Sequence, residues 1–204
     1  MANHQPFEPV ANVATETYAP GEALANPQKG DFLLTHGDAW TSTLIRFGQR
    51  LRFRGDDRPY ARWNHAVLLV DNAGTIVEAL GGGVTRRHID VYAGTEYTHV
   101  PVASVIASES DRDQIAVFGE WAVGQPYGFV TIVSIAYGLL TGGKFTFGFD
   151  GQAICSGLVA RSLERSTAIF NRTPSHIMPA DLAKYFQVDV PGPETPRGTI
   201  PPRA

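Results

Sequence analysis

Residues 63–80 read WNHAVLLVDNAGTIVEAL and decide the fold. Two runs rich in aliphatic and β-branched residues, Trp63–Val70 and Thr75–Leu80, flank the sequence DNAG. Asp, Asn and Gly between two such runs are typical of a β-hairpin turn. We therefore predict two antiparallel strands joined by this turn.

The hairpin relates two polar residues, His65 and Glu78, to each other. With a turn of two or four residues, Glu78 lies opposite Val67 and Leu80 lies opposite His65. Alternate residues of a strand share a face, so Glu78 becomes the diagonal neighbour of His65 on that face. A turn of three or five residues places Glu78 on the other face instead.

The remaining pattern predicts an α+β domain with a mainly antiparallel sheet, because the strands come first and most of the helices follow. The helix that starts with Ser110 as its cap and stops near Gly124 has an apolar face made of Ile115, Phe118, Trp121 and Ala122. The other predicted elements are strands at 32–34 and 97–102 and helices at 41–53, 151–163 and 179–186.

The ends of the chain differ in composition from its centre. Residues 1–28 predict an N-terminal arm or tail, residues 29–189 the folded domain, and residues 190–204 a proline-rich tail. The N-terminus has no signal-peptide pattern, which favours the cytoplasm. The apolar run Phe129–Leu140 is shorter than the roughly 20 residues that a membrane span needs, and we predict a buried helix there.

Composition excludes several classes of function. With 17 Lys and Arg against 20 Asp and Glu, the formal net charge is -3, which argues against nucleic-acid binding. A single cysteine, Cys155, excludes an internal disulfide, a cysteine-rich zinc site and an iron–sulfur cluster. If Cys155 has a function, it acts as a thiol.

Cys155 is predicted in the first turn of a helix, where unpaired N–H groups favour a thiolate. A thiolate, the imidazole of His65 and the carboxylate of Glu78 would supply a nucleophile, a proton shuttle and a residue that orients the shuttle. Other interpretations stay open. A lone helical cysteine is often a small buried apolar residue, His65 an ordinary strand residue, and Glu78 a solvent-exposed carboxylate.

Six motifs in order resemble the circularly permuted papain-like branch of the NlpC peptidase superfamily, which includes YiiX-like hydrolases and lecithin-retinol acyltransferases. In that branch the catalytic histidine precedes the cysteine. The resemblance spans roughly residues 29–187. The motifs are KGDFLL (29–34), WNHAVLL (63–69), VEA with GV shortly after (77–84), GQPYG (124–128), CSGLV (155–159) and MPADL (178–182).

The resemblance implies Cys155 as nucleophile, His65 as general base and acid, and Glu78 as the residue that orients the imidazole. It also implies Tyr127 and Asn64 as supports for the substrate or the oxyanion, and the backbone N–H of Cys155 in an oxyanion hole. The long insert at 127–150 departs from the common pattern of the family.

Arginines concentrate just before His65. They fit either a solvated helix and loop or a surface that attracts an anionic substrate. They are Arg46, Arg50, Arg52, Arg54, Arg58 and Arg62.

A metal site is disfavoured, because its candidate ligands His65, Glu78, His88 and Cys155 lack a compact ligand spacing. We predict that His36, His99 and His176 are ordinary surface or strand-end residues. Residues 81–83, all glycine, predict a turn or bulge.

The sequence therefore predicts a cysteine hydrolase that cleaves an amide or ester bond through an acyl-enzyme, without metal or organic cofactor. The expected substrate is a peptide, a cell-wall peptide or a lipid. The alternatives are a thiol acyltransferase that acts on lipid substrates, a catalytically silent module that binds lipid or peptide, and a peripheral membrane contact through 129–140.

Overall fold

The computed structural model describes residues 13–36, 40–102, 108–126, 154–166 and 174–188. Strands in these ranges form one six-stranded antiparallel sheet, which confirms the predicted α+β class. The strands are β1 (Glu16–Tyr18), β2 (Phe32–Thr35), β3 (His65–Leu69), β4 (Thr75–Leu80), β5 (Gly83–His88) and β6 (Tyr97–Val100). Their order across the sheet is β1-β6-β2-β3-β4-β5.

The central hairpin has the predicted register. Leu68 pairs with Val77, and the Val70 N–H donates to the Thr75 carbonyl at 2.9 Å, which closes a turn of four residues. The Asp71 carboxylate accepts from the Thr75 N–H at 2.8 Å, and Gly74 has a φ of +92°, in the left-handed region that favours glycine. This even turn length places Glu78 on the His65 face.

Helices lie at four positions in the described ranges, close to where the pattern predicts them. They are α1 (Trp40–Arg52), α2 (Glu109–Trp121), α3 (Cys155–Leu163) and α4 (Pro179–Tyr185). Three short 3-10 helices accompany them, at Gly55–Arg62, Ile89–Tyr92 and Pro174–His176.

The predicted start of α2 at Ser110 is wrong by two residues. Ser108 is the N-cap, and its hydroxyl accepts from the Asp111 N–H while the Asp111 carboxylate accepts from the Ser108 N–H. Both serines have an aspartate three residues later, so the sequence offers two capping boxes. The first is used, and Asp113 instead forms an ion pair with Lys29 at 2.6 Å.

The predicted apolar face of α2 is also wrong in part. Ile115 and Ala122 are buried, but Trp121 is 69% exposed and lies beside Phe118. The helix contacts the sheet through Gly119, where an added Cβ would lie 2.5 Å from the Leu68 side chain. This close approach on small residues turns Trp121 outward.

The two faces of the sheet carry separate apolar clusters, as alternating side chains require. One face packs against α2, α3 and α4 and contains Phe32, Leu34, Ala66, Leu68 and Val77. The other face contains Leu33, Val67, Leu69, Ile76 and Tyr97, with Tyr18, Leu24 and Tyr92 packed against it.

The segment predicted as an N-terminal arm contributes the edge strand β1, which pairs with β6 through Glu16 and His99. The Phe129–Leu140 run and the 190–204 tail lie outside the described residues. Of the helices that the structure describes, none is both long and apolar enough to cross a bilayer.

Candidate active site

Cys155 lies in the first turn of α3, as predicted, but the helix begins at Cys155 rather than at residue 151. Cys155 is almost completely buried. Ile154 precedes it in extended conformation, with φ -107° and ψ 153°. The Ser156 hydroxyl donates to the Ile177 carbonyl at 2.6 Å, and Gly157 packs tightly against the Pro174 backbone. These contacts fix the start of the helix and therefore the position of the thiol.

His65 is the first residue of β3 and is 8% exposed. Its Nε2 lies 2.7 Å from Glu78 Oε2. The Cys155 thiol lies close enough to the imidazole for each group to shift the pKa of the other. Because Nε2 is engaged by the carboxylate, Nδ1 is the nitrogen available to interact with the thiol.

Glu78 has no exposed surface. Besides His65, Oε2 accepts a hydrogen bond from the Tyr92 hydroxyl, and Oε1 accepts from Arg87 Nη1 at 3.2 Å. Three donors thus surround one buried carboxylate, which removes the exposed-carboxylate interpretation of Glu78.

The charges in this cluster support each other. Burial pushes the pKa of Glu78 up, but the hydrogen bond and charge of His65, followed by Tyr92 and Arg87, outweigh it and hold that pKa below its usual value. Because Glu78 is then ionised and can only accept, His65 Nε2 carries a proton and donates it.

The pKa values of the thiol and the imidazole also shift, in opposite directions. Burial disfavours the imidazolium, but the charge and hydrogen bond of Cys155, and then Glu78, raise the pKa of His65 to about 9. Burial likewise disfavours the thiolate. The His65 charge and hydrogen bond, with the Ala66 and Ser156 N–H groups, nevertheless lower the pKa of Cys155. Both shifts favour a thiolate paired with an imidazolium.

Of the two residues predicted to support the substrate or the oxyanion, the structure describes only Asn64. Asn64 is fully buried next to His65, and its N–H donates to the Thr35 carbonyl at 3.3 Å, which ties the start of β3 to β2. Tyr127 lies outside the described residues. The tyrosine that the structure does place at the cluster is Tyr92.

Sequence reasoning missed both Tyr92 and Arg87. The signal for Arg87 was present: Gly81 and Gly82 form a two-residue turn that pairs Glu78 with Thr85, and Arg87 follows on the same face. Tyr92 lies in a 3-10 helix, whose short span gives no periodic pattern from which its direction could be predicted.

The interpretation of His99 as a surface or strand-end residue is wrong. His99 is 6% exposed, and its Nε2 lies 2.9 Å from Oδ2 of the buried Asp31. His36 follows the last residue of β2 and stacks on Trp63 at 5.1 Å. His176 ends a 3-10 helix.

The arginine-rich segment is partly structural. Arg52 forms an ion pair with Asp181 of α4, and Arg62 pairs with Glu96 while lying 4.5 Å over the Trp63 ring. These two arginines join α1 and the following 3-10 helix to other parts of the domain. Arg50, Arg54 and Arg58 are exposed.

Within the described ranges, no three His, Cys, Asp or Glu residues are grouped closely enough to hold a metal ion. No protein-family model, no curated protein and no solved structure matches the chain. The site must therefore be interpreted from its own geometry and chemistry.

Proposed function

We propose that the protein is a cysteine hydrolase that cleaves an amide or ester bond through an acyl-enzyme. Cys155 is the nucleophile, His65 the general base and acid, and Glu78 the residue that orients the imidazole. The observation that carries the proposal is an imidazole whose Nε2 lies 2.7 Å from a fully buried carboxylate and which lies beside a buried thiol at the start of α3.

In the first half-reaction, the Cys155 thiolate attacks the carbonyl carbon of the substrate and the carbonyl oxygen takes the negative charge. The N–H of Cys155, at the start of α3, is suited to stabilise that oxygen. The tetrahedral intermediate collapses, the C–N or C–O bond breaks, and the His65 imidazolium protonates the leaving amine or alcohol.

In the second half-reaction, the neutral His65 imidazole takes a proton from water as the water oxygen attacks the thioester. Collapse breaks the C–S bond, releases the carboxylic acid and restores the thiolate and imidazolium. Acyl transfer differs only in the acceptor, since an alcohol or amine then replaces the water.

The same proposal includes the permuted papain-like arrangement. It is supported by the chain order, in which the strand carrying His65 precedes the helix carrying Cys155, and by the packing of α3 against that strand. Asn64 and Tyr127 remain candidates for support of the substrate or oxyanion. Peptides, cell-wall peptides and lipids are the substrate classes to test.

The test uses the chain's only cysteine. We expect iodoacetamide at pH 6 to alkylate Cys155 at least about tenfold faster than it alkylates free cysteine, whose pKa of about 8.5 leaves little thiolate there. His65→Ala removes this advantage, whereas the matched variant His88→Gln, at an exposed histidine, keeps it.

A substrate screen then compares the wild type with Cys155→Ala. Hydrolysis of an ester or amide that disappears in Cys155→Ala supports the proposal. A wild-type thiol no faster than free cysteine, unaffected by His65→Ala, contradicts the proposal and favours a silent binding module.

A further inference from the structure

The Glu78 carboxylate is held on both of its oxygens. Oε2 accepts from His65 and from Tyr92, and Oε1 accepts from Arg87. The last torsion of a glutamate side chain has broad preferences and does not by itself fix where the oxygens point. The surrounding donors must therefore fix it.

Sheet geometry explains why two of these donors lie on opposite sides. Glu78 pairs with Thr85 on β5, and the hairpin register places it opposite Val67 on β3. His65 is two residues before Val67, and Arg87 is two residues after Thr85. Both are diagonal neighbours on the Glu78 face, toward opposite ends of the strands. They draw the two oxygens in opposite directions.

Tyr92 reaches the carboxylate from a 3-10 helix that is itself anchored. The Ile89 N–H donates to the Gly74 carbonyl at 2.9 Å, and the Thr95 hydroxyl donates to the Tyr92 carbonyl at 3.0 Å. Burial, with the adjacent Glu78 charge, raises the pKa of Tyr92 well above its usual value. The phenol therefore stays protonated and acts as a donor.

We propose that Tyr92 and Arg87 are positioning residues, which fix the Glu78 carboxylate so that Oε2 faces His65 and thereby stabilise the Cys155–His65 ion pair. This inference rests on the proposed function. Without either donor, the carboxylate can rotate away from the imidazolium, and the thiolate loses part of its support.

The experiment follows thiolate absorbance at 240 nm against pH, subtracting the same variant with Cys155→Ala. We expect Tyr92→Phe to raise the acid midpoint of thiolate formation by about one pH unit, the loss of a charge-assisted hydrogen bond. Arg87→Met raises it by about half a unit, because the Arg87 side chain is 41% exposed.

Matched controls separate this role from general loss of packing. Tyr97→Phe removes the hydroxyl of a buried tyrosine, which donates to the Glu22 carbonyl, and Arg86→Met removes the neighbouring arginine, which pairs with Glu120. Neither control moves the midpoint. Circular dichroism verifies that each variant is folded, and Arg87→Met carries the test if Tyr92→Phe does not fold.

A double-mutant cycle tests whether the two residues act through Glu78. In a Glu78→Gln background, Tyr92→Phe and Arg87→Met produce no further shift. Full additivity, or single variants with unchanged or lowered midpoints, overturns the inference. If His65→Ala and Glu78→Gln raise the midpoint while Tyr92→Phe and Arg87→Met do not, only the positioning role fails. If all four leave it unchanged, the proposed function fails too.

Discussion

Two buried histidine–carboxylate pairs lie in the same sheet, and they differ in their third partner. The hydrogen-bonded pair of His65 and Glu78 lies beside the thiol of Cys155. His99 and Asp31 are instead joined to backbone and to a guanidinium. Asp31 Oδ1 accepts from the Val102 N–H at 2.9 Å and lies 3.7 Å from Arg112 Nη2.

The two pairs therefore differ in their surroundings despite similar geometry. The second pair connects the start of β2, the end of β6 and α2, since Arg112 also donates to the Lys29 carbonyl at 3.0 Å. It is placed to stabilise the fold. A buried histidine beside a carboxylate indicates catalysis only when its other partner can react.

The largest expected effect comes from removing the carboxylate of the second pair. Asp31→Ala leaves His99 and the Val102 N–H without their buried acceptor and removes the negative charge beside Arg112. We expect the free energy of unfolding in urea to fall by about 3–5 kcal/mol. Cys155 alkylation, measured on the protein that remains folded, keeps the wild-type rate. A loss below about 1 kcal/mol contradicts the structural role of the pair.

Replacing each of the two histidines by glutamine in turn gives the next largest effect. His99→Gln lowers the free energy of unfolding by about 1–3 kcal/mol through a lost buried hydrogen bond, and leaves the thiolate midpoint unchanged. His65→Gln raises that midpoint by more than a pH unit, because the imidazolium is gone. Urea denaturation and the 240 nm titration measure the two effects. A shift of the thiolate midpoint in His99→Gln would show that the pairs are coupled.

The pH dependence distinguishes the reactive pair more finely. Because the pKa of His65 is raised to about 9, ester hydrolysis falls as pH rises through about 9 and the leaving group loses its proton donor. Glu78→Gln moves this limb to lower pH by about one unit. Rates between pH 6 and pH 10 measure it, and an unchanged limb in Glu78→Gln contradicts the orienting role of Glu78.

The raised pKa of His65 also makes the stability of the folded protein depend on pH. The folded-state pKa of His65 lies above its unfolded value of about 6.5. Its contribution to stability is therefore complete below that value and is lost as pH rises through about 9.

Strand alternation predicted the part of the site that depends on the hairpin, provided that the turn has an even length. The structure has such a turn, which brings Glu78 to His65. The apolar period placed Cys155 in the first turn of a helix but put the start of that helix four residues too early. The second buried pair was not predictable in this way. Asp31 and His99 are 68 residues apart, and neither the strand pattern nor a motif links them.

Helix ends were harder to predict for a different reason. Ser108 and Ser110 offer equivalent capping boxes in the sequence. In the folded domain Ser108 is the cap, and Asp113 pairs with the distant Lys29. The outward direction of Trp121 depends on how closely Gly119 approaches Leu68, which is a property of the packed domain.

β5 is an edge strand of the sheet, so its side chains affect whether a second molecule can pair with that edge. The Gly124 N–H donates to the Val84 carbonyl at 2.9 Å, and the Val84 N–H donates to the Gln125 carbonyl at 2.8 Å. Beyond that point the strand continues through Arg86, Arg87 and His88. Edge strands with charged side chains resist pairing with a second molecule. The strand that supplies Arg87 to Glu78 thus also protects the sheet against edge-to-edge aggregation.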